Sequence, residues 1–123
     1  ALVGRIAALL QLGRNNEALD ELTRLPPSIA NDVHVRFLRA GALAVAGRLS
    51  EAAAEIEECL RLAPNAPLAW LLKGQILNAR NKEAEALVSF EEALRLQPNL
   101  SAAKNAREEL ITRSRARTGG ATE

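Results

Sequence analysis

The chain has 123 residues, 48% of them hydrophobic and 25% charged, with 16 basic residues against 15 acidic ones. That length fits one domain, and a net charge of +1 supplies no long-range pull toward nucleic acid or anionic lipid. No run approaches the roughly 18 consecutive apolar residues of a membrane span, and one Cys with one His offers neither an internal disulfide nor an evident metal set.

The apolar residues are mainly Ala and Leu, and aromatics are only 2%. Leu, Ala, Glu and Arg dominate while β-branched residues are sparse, which is helix-forming composition and has the bias of a GC-rich bacterial source. There is no Met, and Arg5 interrupts the apolar start, which lacks the charged leader of a signal peptide. The chain therefore reads as a segment of a longer protein, compatible with cytoplasm or periplasm.

In chain order, the periodicity predicts helices near 1–12 and 16–25, the second ending early at Pro26-Pro27. A third helix spans 32–46 and turns at Gly47. A fourth spans 49–62, with Ser50 as a candidate cap, and stops before Pro64. The fifth, 67–80, carries Trp70, Gly74 and Leu77 on one face at helical spacing, and Ala79-Arg80-Asn81 breaks it. The sixth, 83–96, carries Ala86, Phe90, Ala93 and Leu94 and stops before Pro98, since proline lacks the donor a helix needs and biases its predecessor away from helix. A seventh helix, 101–116, places Ala103, Ala106 and Leu110 on one side and charges on the other. A disordered tail over 117–123 follows.

These helices repeat. Pro64 and Pro98 stand 34 residues apart, and the same offset lays Ala52 on Ala86, Ile56 on Phe90, Leu43 on Leu77, Ala40 on Gly74 and Arg39 on Lys73. A second step back places Ala18 under Ala52, Leu22 under Ile56, Gly13 under Gly47, Leu9 under Leu43 and Arg5 under Arg39. The third unit reads Trp70-x₂-Lys73-Gly74-x₂-Leu77, Ala86-x₃-Phe90, Pro98. It resembles the tetratricopeptide repeat, W-x₂-L-G-x₂-Y…A-x₃-F…P over 34 residues, departing at Lys73 and Leu77. The second unit has Arg36 in place of Trp, and the first has Ile6 where a small residue belongs. The resemblance covers roughly residues 1–100. It implies an all-α fold, a right-handed α-solenoid of three helical hairpins, in repeats of about 1–32, 33–66 and 67–100. The seventh helix would cap it, closing a single domain over 1–116.

The resemblance also implies a function. In this family the first helix of each pair lines a concave groove where ligands lie. Carried over, the groove residues are His34, Phe37, Leu38, Gly41 and Val45 of the second unit and Leu68, Leu71, Leu72, Gln75 and Asn78 of the third, with Val3, Ala7 and Leu10 from the first. The expected partner is an apolar or amphipathic peptide or protein segment. Family members that hold chaperone tails use a carboxylate clamp of Lys, Asn and Arg. The equivalent places here hold Val3, Ala7, Leu38, Leu68 and Leu72, which cannot pair with a carboxylate, so a chaperone tail is not expected.

No catalytic residue, cofactor or metal is expected, because no nucleophile with an oriented base can be assembled. Cys59 aligns with Ala93 and reads as a packed thiol. The glutamates of the second helices, Glu51, Glu55, Glu57, Glu58, Glu83, Glu85, Glu91 and Glu92, read as a solvated face. Arg113, Arg115 and Arg117 read as complements to a helix C-terminus, with no aromatics to stack a base. Nucleic-acid binding and membrane insertion are not expected. Two alternatives stay open: self-association as a homodimer, and service as the recognition arm of a larger enzyme or of a secretion or envelope-assembly protein.

Overall fold

A computed structural model describes residues 2–122, and the side chains of residues 4–117. Among the described residues the fold is all-α with no strand. The helices are α1 (Leu2–Gln11), α2 (Asn15–Thr23), α3 (Pro27–Ala30), α4 (Val33–Val45), α5 (Leu49–Leu62), α6 (Pro67–Ala79), α7 (Glu83–Leu96) and α8 (Ser101–Thr122). The chain divides into two compact units, Ala1–Pro64 and Asn65–Glu123, where the sequence suggested one domain.

Each hairpin turns in the same way, and the period of 34 explains why. Gly13 and Gly47 adopt φ of 77° and 83°, and Asn81, the next in the series, adopts 63°. These are left-handed values that glycine takes freely and asparagine tolerates. At each turn two amides reach back into the finished helix. Arg14 N donates to Leu9 O, Arg48 N to Leu43 O and Lys82 N to Leu77 O, all at 2.9 Å. Gly13, Gly47 and Asn81 donate to Leu10, Ala44 and Asn78 at 3.0–3.1 Å. This is the Schellman arrangement, which satisfies carbonyls that a helix end leaves unpaired.

Three expectations need correction. The short helix α3 was not foreseen: Pro26-Pro27 ends α2, but Pro27 then opens a new turn, because a helix's first position needs no N–H donor. Ser50 does not cap α5. The helix begins at Leu49, its N-cap is Arg48, and no side chain caps it. Helix α8 continues to Thr122, past the expected stop at 116, with no proline after Ser101 to end it. Glu123 and the side chains from Thr118 onward lie outside the described residues. At Gly41, inside α4, a Cβ would meet nothing within 4 Å.

In the first unit Ile6, Ala18, Leu22, Val35, Ala40, Ala52 and Ile56 are at most 2% exposed. In the second unit Leu71, Ala86, Phe90, Ala93, Ala103 and Leu110 form one core, with Trp70, Leu77 and Leu94 packed against it. The small residues at Ala86 and Ala93 let helices approach, and Phe90 fills the space. Trp70 is only partly buried, and the Lys73 ammonium lies 5.2 Å from its ring centroid. Phe90, not Trp70, is the fully buried aromatic of this unit.

Candidate functional site

The first helix of each repeat shows one face that its hairpin leaves uncovered. On α4 that face carries His34, Leu38, Gly41 and Val45, spaced four, three and four residues apart, which is one side of a helix. His34 is exposed, Leu38 and Gly41 are half-buried, and Val45 is 69% exposed. The buried side of α4 carries Val35, Ala40, Ala42 and Leu43. Asp32 accepts the His34 backbone N–H at 2.9 Å and starts the helix, as an N-cap aspartate should. Phe37, beside this face, is half-buried.

The same spacing recurs on α6 as Leu68, Leu72, Gln75 and Ala79. Leu68 is 52% exposed, Gln75 and Ala79 are exposed, and Leu72 is half-buried. Two residues assigned to this face belong elsewhere. Leu71 is 8% exposed and packs in the second unit's core. Asn78 accepts a hydrogen bond from Arg113 Nη2 of α8 at 2.8 Å. The reason is geometric: positions 71 and 78 are two turns apart on the side of α6 that α8 approaches. In the first unit Ala7 and Leu10 are half-buried, and the Val3 side chain lies outside the described residues.

The charged residues divide into two kinds. Arg14–Glu17, Arg48–Glu51, Glu58–Arg61 and Glu92–Arg95 are ion pairs one turn apart, all on exposed ground. Hydrogen bonds from the arginines hold the Glu51, Glu58 and Glu92 carboxyls below their ordinary range, but water screens such pairs and they add little stability. Glu55 differs. It joins helices, accepting from Arg36 at 2.9 Å and Arg39 at 3.0 Å, and its side chain is only 17% exposed. Sequence reading had placed it on the solvated face. The signal that it missed was the basic residue repeated at Arg5, Arg39 and Lys73. Arg113 and Arg117 also differ from expectation. Arg117 pairs with Glu83 of α7 and Arg113 with Asn78 of α6, and both tie α8 to the other helices of its unit.

Cys59 is 1% exposed, and its Sγ lies 3.7 Å from the Val33 carbonyl. Burial, aided by Glu55, pushes its thiol pKa up to about 11, so the nucleophilic thiolate is suppressed at neutral pH. Native protein at pH 8 should therefore resist iodoacetamide and react fully once unfolded in urea, as read by mass spectrometry; rapid native alkylation would show the site to be open. Among the described residues no three His, Cys, Asp or Glu side chains come together to hold a metal ion, and no helix is long and apolar enough to cross a membrane.

Family models described as tetratricopeptide repeat match residues 33–76 and 68–100. Among solved structures, the chain is similar to the first TPR of Spaghetti (RPAP3) bound to the HSP90 peptide SRMEEVD, at 22% identity. The match covers 90% of this chain and 88% of that one, with a TM-score of 0.81. The Sgt2 TPR domain from Aspergillus fumigatus matches at 22% identity over 97% of this chain and 81% of that one, TM-score 0.84. The Yersinia enterocolitica type III secretion chaperone SycD, in complex with a peptide of the translocator YopD, matches at 14% identity over 92% of each chain, TM-score 0.77. At these identities the likeness is one of fold. No curated protein matches the chain.

Proposed function

Because the chain belongs to the tetratricopeptide-repeat family, we propose that it is a protein-interaction scaffold, not a catalyst, and that each unit binds through the uncovered face of a first helix, α4 in one and α6 in the other. The observation that carries this reading is the exposure of Val45 on α4 and of Leu68 on α6, at 69% and 52%, each on the face that its own hairpin leaves uncovered. Apolar side chains held in water gain free energy when a partner covers them, at about 25 cal/mol per Å² of apolar surface.

The ligand is an amphipathic helix or an extended apolar segment. His34 and Gln75 supply the polar contacts that orient it, and Leu38, Leu68 and Leu72 supply burial. Neither helix offers a cation on this face, so a chain-terminal carboxylate finds no bidentate partner there. This sets the chain apart from the structure that holds SRMEEVD and aligns it in type with the one that holds a translocator peptide.

The test uses peptides selected from a random display library against the full chain, with affinity measured by calorimetry. Leu72→Asp should weaken binding by at least about tenfold, since a charge buried in the contact without a partner costs more than the 1.4 kcal/mol of a factor of ten. Val88→Asp, on the exposed side of α7, should leave affinity unchanged. Binding should vary little with salt, because few charges are neutralised. Equal affinities for wild type and Leu72→Asp would remove the face from consideration.

A further inference from the structure

In the second unit a small cavity of about 190 Å³ lies where α6, α7 and α8 meet. Its inner wall is apolar. The Phe90 ring of α7 and Leu110 of α8 are 1% and 3% exposed, and Ala106 beside them is half-buried. Gly74 lets the ring reach α6: it has no side chain, and Phe90 occupies the space a Cβ would take. The rim is polar, formed by the exposed Gln75, Glu109 and Arg113 and the half-buried Asn78. Gln75 also belongs to the uncovered face of α6, so the cavity opens beside that face.

The rim carries one acid and one base, so it selects no charged ligand. Arg113 is already engaged, donating to Asn78 at 2.8 Å and lying 3.8 Å from Glu83. What the rim does offer is donors and acceptors side by side. Asn78 spends its carbonyl oxygen on Arg113 and keeps two amide N–H groups, Gln75 has a full carboxamide, and Glu109 has two acceptor oxygens. A peptide backbone needs both kinds at once and carries no charge. A helical ligand cannot use them, because its own N–H and C=O groups are bonded within the helix. An extended segment presents those groups bare and sends alternate side chains to one side. One side chain then enters the cavity while the flanking peptide groups meet the rim. An apolar cavity of about 150 Å³ holds a benzene molecule, so about 190 Å³ has room for a phenyl ring, which gains further by packing on the ring of Phe90.

We propose that this cavity is an anchor pocket beside the α6 face, and that it takes one phenylalanine side chain from an extended, uncharged segment of a protein partner whose backbone hydrogen-bonds to Gln75 and Asn78. The pocket presupposes the α6 face as the binding surface and narrows its ligand to the extended kind. Thirty-four residues before Ala106 the sequence has Leu72. A leucine at 106 would fill the cavity, and the alanine there keeps it open.

The experiment titrates the full chain with a capped pentapeptide, one phenylalanine flanked on each side by two serines, and follows amide and side-chain NH₂ resonances. Saturable binding is expected, with shifts at Gln75, Asn78 and Leu110, and none when alanine replaces the phenylalanine. Methylating the backbone nitrogens beside the phenylalanine should weaken binding by about two- to tenfold, the range of one net hydrogen bond. A stapled helix that presents the same phenylalanine should bind no better than the alanine peptide. Ala106→Leu should abolish binding while circular dichroism stays helical. Should that variant not fold, Gln75→Ala, on exposed ground, decides in its place with an expected loss of about two- to tenfold. The proposal is overturned if the pentapeptide does not bind, if the alanine, methylated or stapled peptide binds as well as it does, or if the deciding variant binds like wild type. Leu72→Asp keeps the two readings apart. If it weakens display-selected peptides while the pentapeptide fails to bind, the pocket falls and the face stands; if it changes nothing, the face falls too.

Discussion

Phe90→Ala should lower stability by about 3–5 kcal/mol, the range for removing a fully buried aromatic ring. The residue is 1% exposed and central to the core formed with Leu71, Ala86, Ala93, Ala103 and Leu110. Helices α6, α7 and α8 all contribute to that core, so the cavity cannot collapse onto one element, and the loss belongs near the upper end. Urea denaturation followed by circular dichroism measures it. Trp70→Ala should cost less, because Trp70 packs at the core's edge and remains partly in water. Equal losses for the two would mean that the tryptophan, not the phenylalanine, holds the unit together.

Gly74→Leu should be the second most damaging change, at about 1–3 kcal/mol or more from overpacking. A Cβ at Gly74 would lie 2.4 Å from the Phe90 ring, far inside contact distance, so even the first carbon of the new side chain displaces the ring. The ring is 1% exposed, so displacing it disturbs the core packed around it. Two controls separate this from an effect of helix propensity. Gly41→Ala, where the new carbon meets open space, should stabilise by roughly 0.5–1 kcal/mol, the usual gain of alanine over glycine inside a helix. Gly74→Ala combined with Phe90→Leu should be milder than the sum of the two single changes, because the smaller side chain vacates the space that the methyl needs. Strict additivity would mean that the two positions do not touch.

The backbone was legible in the sequence because its signals are local. Pro64 and Pro98 end α5 and α7, Gly13 and Gly47 mark turns, and the offset of 34 predicts that Asn81 takes the same left-handed geometry. The side-chain environments were less legible, because they depend on what lies across from each helix. Leu71 and Leu72 are adjacent leucines on α6, yet one is core and the other lies on the open face. The difference is set by α8, whose approach no period within α6 encodes. Glu55 was misplaced for a related reason. A rule that puts glutamates on the solvated side has no term for two arginines arriving from α4. Arg36 itself was noticed only as a departure from the repeat pattern. The structure shows what the departure does: it trades an aromatic packing position for an ion triad beside a cleft.

The central claim is that partners bind the uncovered faces of α4 and α6. Backbone amide shifts of the full chain, recorded while a display-selected peptide is titrated, test it most directly, since shift changes locate contact without prior choice of a mutation. The predicted result is that the largest changes fall on His34, Leu38, Gly41, Leu68, Leu72 and Gln75, with small changes along the outer faces of α5 and α7. Changes centred on α5, α7 or α8, with α4 and α6 unmoved, would contradict the claim.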